Sequence, residues 1–363
     1  MNILYDHQVF TWQKYGGISR YFCELFRNFP SSDVNIRHTA IFSENVYLQD
    51  YGSNIKSIFP DKKIKGKIRI YGYYNKINSI LSLKHQDYDI LHPTYYDPYF
   101  VKYAGRKPVV ITVHDMTHEL FPELFSNKDK SSFYKKECVK RADKIIAISN
   151  HTKRDLVNLL DVNPDKIEII YHGISPSIDF QMPEGRITER PFILFVGDRE
   201  GYKNFEIFFK AFVILKKSFP DLTLICTGKP FTKDEKELFS AENLNKDIVH
   251  ISASDKQMAK LFNDAELFVY PSQNEGFGLP ILEAFKFGCP TVISDIECFH
   301  EVSGNASVYF DPFDIDSIVD NVNRVILNND LKKSLQKKGT ERMQLFTWQN
   351  TAIKTYELYN KLL

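Results

Sequence analysis

Short apolar runs alternate with amphipathic stretches from one end of the chain to the other. Residues 3–5, 89–92, 109–114, 144–148 and 167–171 are rich in Ile, Val and other β-formers, as expected of strands buried on both faces. Between them, 18–29 and 152–160 repeat apolar positions at helical spacing. The rhythm restarts beyond residue 191. There, 192–197, 222–228, 248–251, 266–271 and 291–295 read as strands, and 204–218, 255–263, 280–288 and 314–327 as helices. Such alternation predicts parallel sheets covered by helices. The stretch 173–191 holds three prolines and no periodicity, which marks a linker. The chain therefore reads as α/β, with two Rossmann-like domains. In open sheets of that type ligands sit beyond the carboxyl ends of the strands, so the loops after strands are where chemistry is sought.

Composition narrows the field. A chain of 363 residues, 43% hydrophobic and 26% charged, suits two soluble domains. The net charge of +1 gives no nucleic-acid signature, although basic residues lead in the first half and acidic ones in the second. Five scattered cysteines without a C-x-x-C pair argue against a disulfide framework and a structural zinc site, and for a reducing compartment. Neither a signal-peptide pattern nor a run of ~20 apolar residues is seen, so a cytoplasmic protein is expected.

The strongest local signal lies at 266–289. An apolar strand runs into Pro271 and Ser272, a loop carries Glu275, Gly276, Phe277, Gly278 and Leu279, and a helix opens at Pro280 and carries Glu283. Glycines let backbone approach a ligand closely, and proline suits the first helical turn. The helix start offers unpaired N–H groups and partial positive charge, which suits a diphosphate. Glu275 would stand at the mouth of that site. Glu283, about one turn into the helix, could accept hydrogen bonds from the vicinal hydroxyls of a ribose. A lone Gly-x-Gly at a strand-to-helix turn would mean little.

The whole string, however, resembles the signature of glycosyltransferase family 4, the retaining GT-B group with a Glu-x7-Glu motif, and Glu275 and Glu283 have that spacing. The resemblance extends over nearly the whole chain. Residues 192–204 are similar to the first strand and loop of the family's C-terminal domain, where a basic pair grips the donor phosphates. Arg199 and Lys203 match that pair, and two cations suit a departing nucleoside diphosphate. Tyr202 departs from the pattern, since many members carry Arg there. Residues 109–115 are similar to the strand ending in a His that contacts the donor sugar, which makes His114 a candidate. Gly16 and Gly17 match the Gly-rich loop that borders the donor phosphates and acceptor in the family; by themselves they could be a tight turn into a helix. Residues 346–348, followed by Ala352, Tyr356, Leu358 and Tyr359, form an amphipathic helix of the kind that crosses back to the N-terminal domain in GT-B enzymes.

The resemblance implies a GT-B fold, with two Rossmann-like domains whose parallel sheets face across a cleft. An acceptor domain would span 1–173 and a donor domain 174–345, with 346–363 returning to the first. The implied reaction is retaining transfer of a hexosyl group. Glu275, His114, Arg199 and Lys203 would be the catalytic set. Gly16, Gly17, Gly276, Phe277, Gly278, Leu279 and Glu283 would bind the donor. The loop around Arg199 and Lys203 resembles that of bacterial surface-polysaccharide mannosyl- and related transferases. GDP-mannose is thus the first donor to consider, with UDP- and dTDP-sugars open. The acceptor would be a glycan or lipid-linked glycan. Neither a cofactor nor a metal is expected. Asp314 and Asp316 have the Asp-x-Asp form but open a predicted helix, where N-capping accounts for them. No dinucleotide fingerprint follows a first strand, which argues against a dehydrogenase.

Residues 56–84 carry eight basic residues against one acidic, Asp61, interleaved with aromatic and aliphatic ones such as Phe59. Such a segment could rest on an anionic membrane or be a solvated, partly helical stretch. The same fold also serves sugar-nucleotide epimerases, phosphorylases and non-catalytic partner subunits. The retained glutamates and basic pair argue against the last of these.

Overall fold

The computed structural model describes all residues except 31–32, 53–54, 58–63, 176–181 and 183. Phe59 and Asp61 of the basic stretch, and several residues of the 173–191 linker, lie outside the described residues. The chain divides into two compact units, Met1–Gly173 with Trp348–Leu363, and Ile174–Thr347.

The first unit holds β1 (Asn2–Tyr5), β2 (Asn35–His38), β3 (Ile90–His92), β4 (Val110–Val113), β5 (Lys144–Ala147) and β6 (Ile167–Ile169). They pair in parallel as β2-β1-β3 and β4-β5-β6, and a bridge between Leu91 and Val109 links the two sets. Successive strand residues feed opposite faces. Ile3 and Tyr5 join Phe22, Phe26 and Trp348 in one core, while Leu4, Leu91 and Ile111 join Tyr96, Phe100 and Cys138 in the other. Covering both faces is why these strands read as unbroken apolar runs. The C-terminal helix Trp348–Asn360 buries Trp348, Ala352, Leu358 and Tyr359, and the Tyr359 hydroxyl lies 2.7 Å from that of Tyr5.

The second unit holds β7 (Phe192–Phe195), β8 (Thr223–Cys226), β9 (Ile248–His250), β10 (Leu267–Tyr270), β11 (Thr291–Ser294) and β12 (Val308–Phe310). All are parallel, in the order β12-β11-β10-β7-β8-β9. The chain builds outward from β7 through β8 and β9, then returns past β7 to lay down β10, β11 and β12. The reversal leaves a crevice at the carboxyl ends of β7 and β10. Beneath it the helix Phe205–Ser218 packs Phe205, Phe208, Phe209 and Phe212 onto Phe195 and Leu224.

Two strands escape the sequence pattern, and both are sheet edges. Asn35–His38 is mostly polar and part-exposed, and Val308–Phe310 has only 3 residues. Several helices, among them Ser131–Arg141, Lys233–Ala241 and Glu297–Ser303, also lie outside that pattern, and two others show why a helix can. Asn329–Met343 buries only Leu335, Gly339 and Met343, and a Cβ on Gly339 would lie 2.6 Å from the Phe285 ring. Lys67–His85 is inverted. Its inward residues are Lys67, Tyr71, Asn75, Ser79 and Leu83, three of them polar. The Asn75 amide accepts from the amides of Ile41 and Phe42 and donates to Phe42 O and Thr11 Oγ1. Its exposed residues include Ile70, Tyr73, Ile77 and Leu81. A search for an apolar inward stripe passes over such a helix. Among the described residues, no helix is long and apolar enough to cross a membrane.

Candidate active site

The loops that leave β7 and β10 carry the chemistry of the second unit. Beyond β7 a single 3-10 turn, Gly201–Lys203, presents Lys203. Asn204 follows in the left-handed region at φ 59°, and its amide donates to Pro312 O at 2.7 Å. Beyond β10, Gln273 crosses to this turn. Its backbone N–H donates to Tyr202 O at 2.8 Å and its side chain to Asn204 Oδ1 at 3.1 Å. The two loops are thereby locked side by side at the reversal crevice.

That lock brings Lys203 and Glu275 together. Lys203 Nζ donates to Glu275 Oε1 at 2.5 Å, and the Ser272 hydroxyl donates to the same oxygen at 2.8 Å. Burial alone would push the Lys203 ammonium toward neutrality, but Glu275 and Tyr202 outweigh it, and its pKa lies above the ordinary lysine value. Aromatic rings flank the cation, with Tyr202 centred 5.0 Å and Tyr270 5.6 Å from Nζ. Tyr202, the departure from the family pattern, thus packs against Lys203. The Tyr270 phenol is pushed up by burial and then by the Glu275 carboxylate.

Four residues after Glu275 the helix Leu279–Lys286 begins, with Pro280 in its first turn. Gly278 caps it at φ 103°, and a Cβ there would lie 3.1 Å from both Ile281 and Phe299. The site needs glycine for conformation and for space. Gly276 and Phe277 are buried, the Phe277 ring standing edge-on to Phe346 at 5.7 Å. Leu279 and Glu283 are half-buried on the helix.

Arg199 is placed differently from the expectation of a phosphate grip. Its guanidinium turns into the protein, where Nε donates to Glu235 Oε1 at 2.6 Å. Nη1 donates to Thr227 O at 3.2 Å, and Nη2 to Lys229 O at 2.7 Å and Pro230 O at 3.2 Å. The Phe231 ring stacks 4.8 Å from it. Although burial works the other way, Arg199 holds Glu235 below the usual glutamate value. Glu235 also completes the capping box of Lys233–Ala241 with Thr232. Arg199 therefore braces the loop after β7 against the loop after β8, leaving Lys203 as the cation at the crevice. The Thr-x-x-Glu spacing at 232–235 is a legible helix start; its pairing with Arg199 is not.

In the first unit His114 follows β4. The ring is 7% exposed, stacked on His172 at 5.7 Å and edge-on to Tyr21 at 5.3 Å. Its Nε2 has no hydrogen-bond partner among the described residues. Burial depresses its pKa to about 4, Asp115 opposing and Lys135 adding to the shift, so the ring is neutral near pH 7. Lys135 fixes the following loop by donating to Asp115 O at 2.9 Å and Glu119 Oε2 at 2.7 Å. Gly16 caps the helix Gly17–Arg27. A Cβ on Gly16 would lie 2.3 Å from Gln13 Oε1, the atom that accepts from the Ser19 amide at 3.0 Å. A Cβ on Gly17 would meet nothing within 4 Å.

Elsewhere, Asp314 caps the helix Ile315–Ile326 by accepting from the Asp316 amide at 2.9 Å. Among the described residues there is no group of three or more His, Cys, Asp or Glu side chains that could hold a metal ion. All five cysteines are free and buried.

Comparison with known proteins shows the family and the fold. Residues 15–178 match the family model Glycosyltransferase Family 4, and residues 177–342 match Glycosyl transferases group 1. The chain belongs to the family 4 glycosyltransferases. It is similar to the O-antigen chain mannosyltransferase RfbU of Salmonella typhimurium, at 29% identity over 56% of this chain and 57% of that one. The match thus spans little more than half of that relative. The O-antigen chain mannosyltransferase B of Escherichia coli is 26% identical over 77% of this chain and 75% of its own. Among solved structures, sucrose-phosphate synthase of Thermosynechococcus elongatus aligns with a TM-score of 0.74 at 18% identity, covering 99% of this chain and 98% of that one. HepE of Anabaena, solved with UDP-glucose, aligns with a TM-score of 0.74 at 16% identity over 99% of this glycosyltransferase and 100% of its own chain. These structural neighbours place the fold in the GT-B class.

Proposed function

We propose that this family 4 glycosyltransferase moves a hexosyl group, with retention of configuration, from a nucleotide-sugar to a glycan or lipid-linked glycan acceptor. The observation that carries this reading is the Lys203–Glu275 pair, set at the strand-reversal crevice just ahead of the helix Leu279–Lys286. Mannose from GDP-mannose, in O-antigen-type polysaccharide synthesis, is the first choice because relatives in two organisms bear the name O-antigen chain mannosyltransferase.

In this reading the donor diphosphate takes the place of Glu275 on Lys203. As the bond from the anomeric carbon to the phosphate oxygen breaks, negative charge grows on the diphosphate and positive charge on the sugar ring. Lys203 and the N–H groups at the helix start stabilise the first. Glu275, released from Lys203, orients the sugar, and the backbone of Gly276, Phe277, Gly278 and Leu279 lines its bed. Neutral His114, with an unpaired buried Nε2, exchanges hydrogen bonds with a sugar hydroxyl. Glu283 holds the ribose, and Gly16 and Gly17 border the phosphates. The acceptor hydroxyl adds to the face from which the diphosphate departs, its proton leaving with that dianion. Arg199 acts as a brace for the Lys203 loop. No cofactor or metal enters the scheme.

The exposed face of Lys67–His85, with Ile70, Tyr73, Ile77 and Leu81 beside Arg69 and Lys84, supports docking on an anionic membrane surface. That would put the enzyme at the cytoplasmic face of the cell membrane.

The test is thermal stabilisation by GDP, UDP, dTDP and NAD, with and without Mg²⁺. A ligand at ~100 times its Kd adds about 2.7 kcal/mol. A shift with one nucleoside diphosphate, unchanged by metal and lost in Glu283→Ala, is the expected result. No shift with any nucleoside diphosphate sinks the reading.

A further inference from the structure

The first unit contains a cavity that the transfer scheme does not use. It has a volume of about 380 Å³, within the ~300–1,000 Å³ of small-molecule sites, and its lining includes His7, Trp12, Gly72, Lys76, Tyr95 and Asp97. His7 follows β1 and Tyr95–Asp97 follow β3, so the cavity stands where the order β2-β1-β3 reverses. Its floor is rigid. Buried Asp6 accepts from the Thr94 amide at 2.8 Å, the Thr94 hydroxyl at 2.7 Å, Gln8 Nε2 at 2.7 Å and the Tyr99 hydroxyl at 3.1 Å.

Two observations are unexplained by the fold alone. Gly72 lies inside the helix Lys67–His85, where glycine costs about 1 kcal/mol relative to alanine. Yet a Cβ there would meet only the Thr11 methyl, at an ordinary 3.8 Å. Among the described residues no neighbouring atom requires this glycine; what it preserves is room in the cavity. His7 is 6% exposed, with Nδ1 held by the Thr11 hydroxyl at 2.9 Å, while Nε2 has no partner among the described residues. An orphan polar atom of this kind calls for a ligand group.

We propose that this cavity binds a pyranose unit of the acceptor glycan. Trp12 and Tyr95 stand edge to face at 4.9 Å, an apolar wall for the C–H face of a sugar ring. Lining the same cavity, the Lys76–Asp97 ion pair at 2.7 Å and His7 supply donors and acceptors for adjacent hydroxyls. An alkyl chain would leave those polar groups unused. The assignment rests on the transfer reading for the word acceptor, though saccharide binding itself does not need the donor site.

Saturation-transfer NMR on the full chain tests it, with methyl α-mannopyranoside, methyl α-glucopyranoside, α-linked mannobiose and octyl glucoside as probes and no nucleotide present. At least one saccharide should receive saturation on its ring protons, with the effect abolished in Gly72→Leu and weakened in Trp12→Ala. Gly72→Ala should melt higher than the wild type, and Gly72→Leu should keep the full nucleoside-diphosphate shift. Trp12, 42% exposed, serves if the leucine variant fails to fold. Wild-type saccharide signals in both variants, no signal from any saccharide, or a signal confined to the octyl chain would overturn the proposal. Loss of the nucleotide response with saccharide binding intact would instead refute the donor reading alone.

Discussion

Replacing Lys203 with Met removes the cation from the crevice and strands Glu275 in a setting where its side chain is only 13% exposed. Two charges about 4 Å apart attract by about 4 kcal/mol at an effective dielectric near 20, against which desolvation must be set. Breaking a fully buried pair costs about 3–5 kcal/mol and an exposed one less than about 1. With side chains 19% and 13% exposed, this pair lies between, so Lys203→Met or Glu275→Gln should each cost about 2–3 kcal/mol. The double variant should cost less than their sum, giving a coupling of about 1–2 kcal/mol. Both tryptophans, Trp12 and Trp348, belong to the first unit, so urea unfolding of the second should be followed by far-ultraviolet circular dichroism. Nucleoside-diphosphate titration separates the two residues' roles. Loss of a charge-assisted hydrogen bond, about 1.5–3 kcal/mol, should weaken binding roughly ten- to a hundredfold in Lys203→Met. Glu275→Gln frees the ammonium and should bind the nucleotide at least as tightly as wild type while losing transfer. Wild-type nucleotide affinity in Lys203→Met, or additivity within about 0.5 kcal/mol, would refute the reasoning.

Four further outcomes are expected. Arg199→Ala leaves Glu235 and three carbonyls without their donor and should destabilise by about 2–4 kcal/mol; a loss of nucleotide affinity at unchanged stability would return Arg199 to the phosphates. Gly278→Ala, at φ 103° and 3.1 Å from Phe299, should cost about 1–3 kcal/mol, read as a lower urea midpoint. Burial depresses His114 from 6.5 to about 4, so the unfolded chain binds more protons between those values. The stability His114 contributes should be complete above pH ~6.5 and fall as pH drops toward ~4. His114→Gln should flatten that slope between midpoints measured at pH 7 and 4.5, and parallel slopes would contradict it. Replacing Ile70, Tyr73 and Ile77 together with Ser should leave the melting temperature unchanged and abolish sedimentation with anionic vesicles; undiminished sedimentation would exclude this face.

How much was legible in advance depended on the kind of signal. The central strands were found because parallel strands covered on both faces must be apolar along their whole length, as Phe192–Phe195 and Val110–Val113 are. Edge strands and the inverted helix Lys67–His85 lack that constraint. The glutamate spacing at 275 and 283 and the Gly278 cap were visible because both are local to one strand–loop–helix segment. Ser272, Gln273 and Asn204, which hold that segment to the Lys203 turn, were passed over because each reads as an ordinary loop polar residue.

The sequence by itself determined the alternation of strands and helices, the family and the segment on which the donor would rest, all of which are written in runs of a few to two dozen residues. Only the tertiary structure decided which charge answers which. Lys203 and Glu275 are 72 positions apart, and Arg199 and Glu235 are 36 apart. Their pairing follows from a strand order that sets β7 between β8 and β10. Parallel strands need long crossovers, so residues that meet at their carboxyl ends come from loops tens of residues apart, and no local pattern records the meeting.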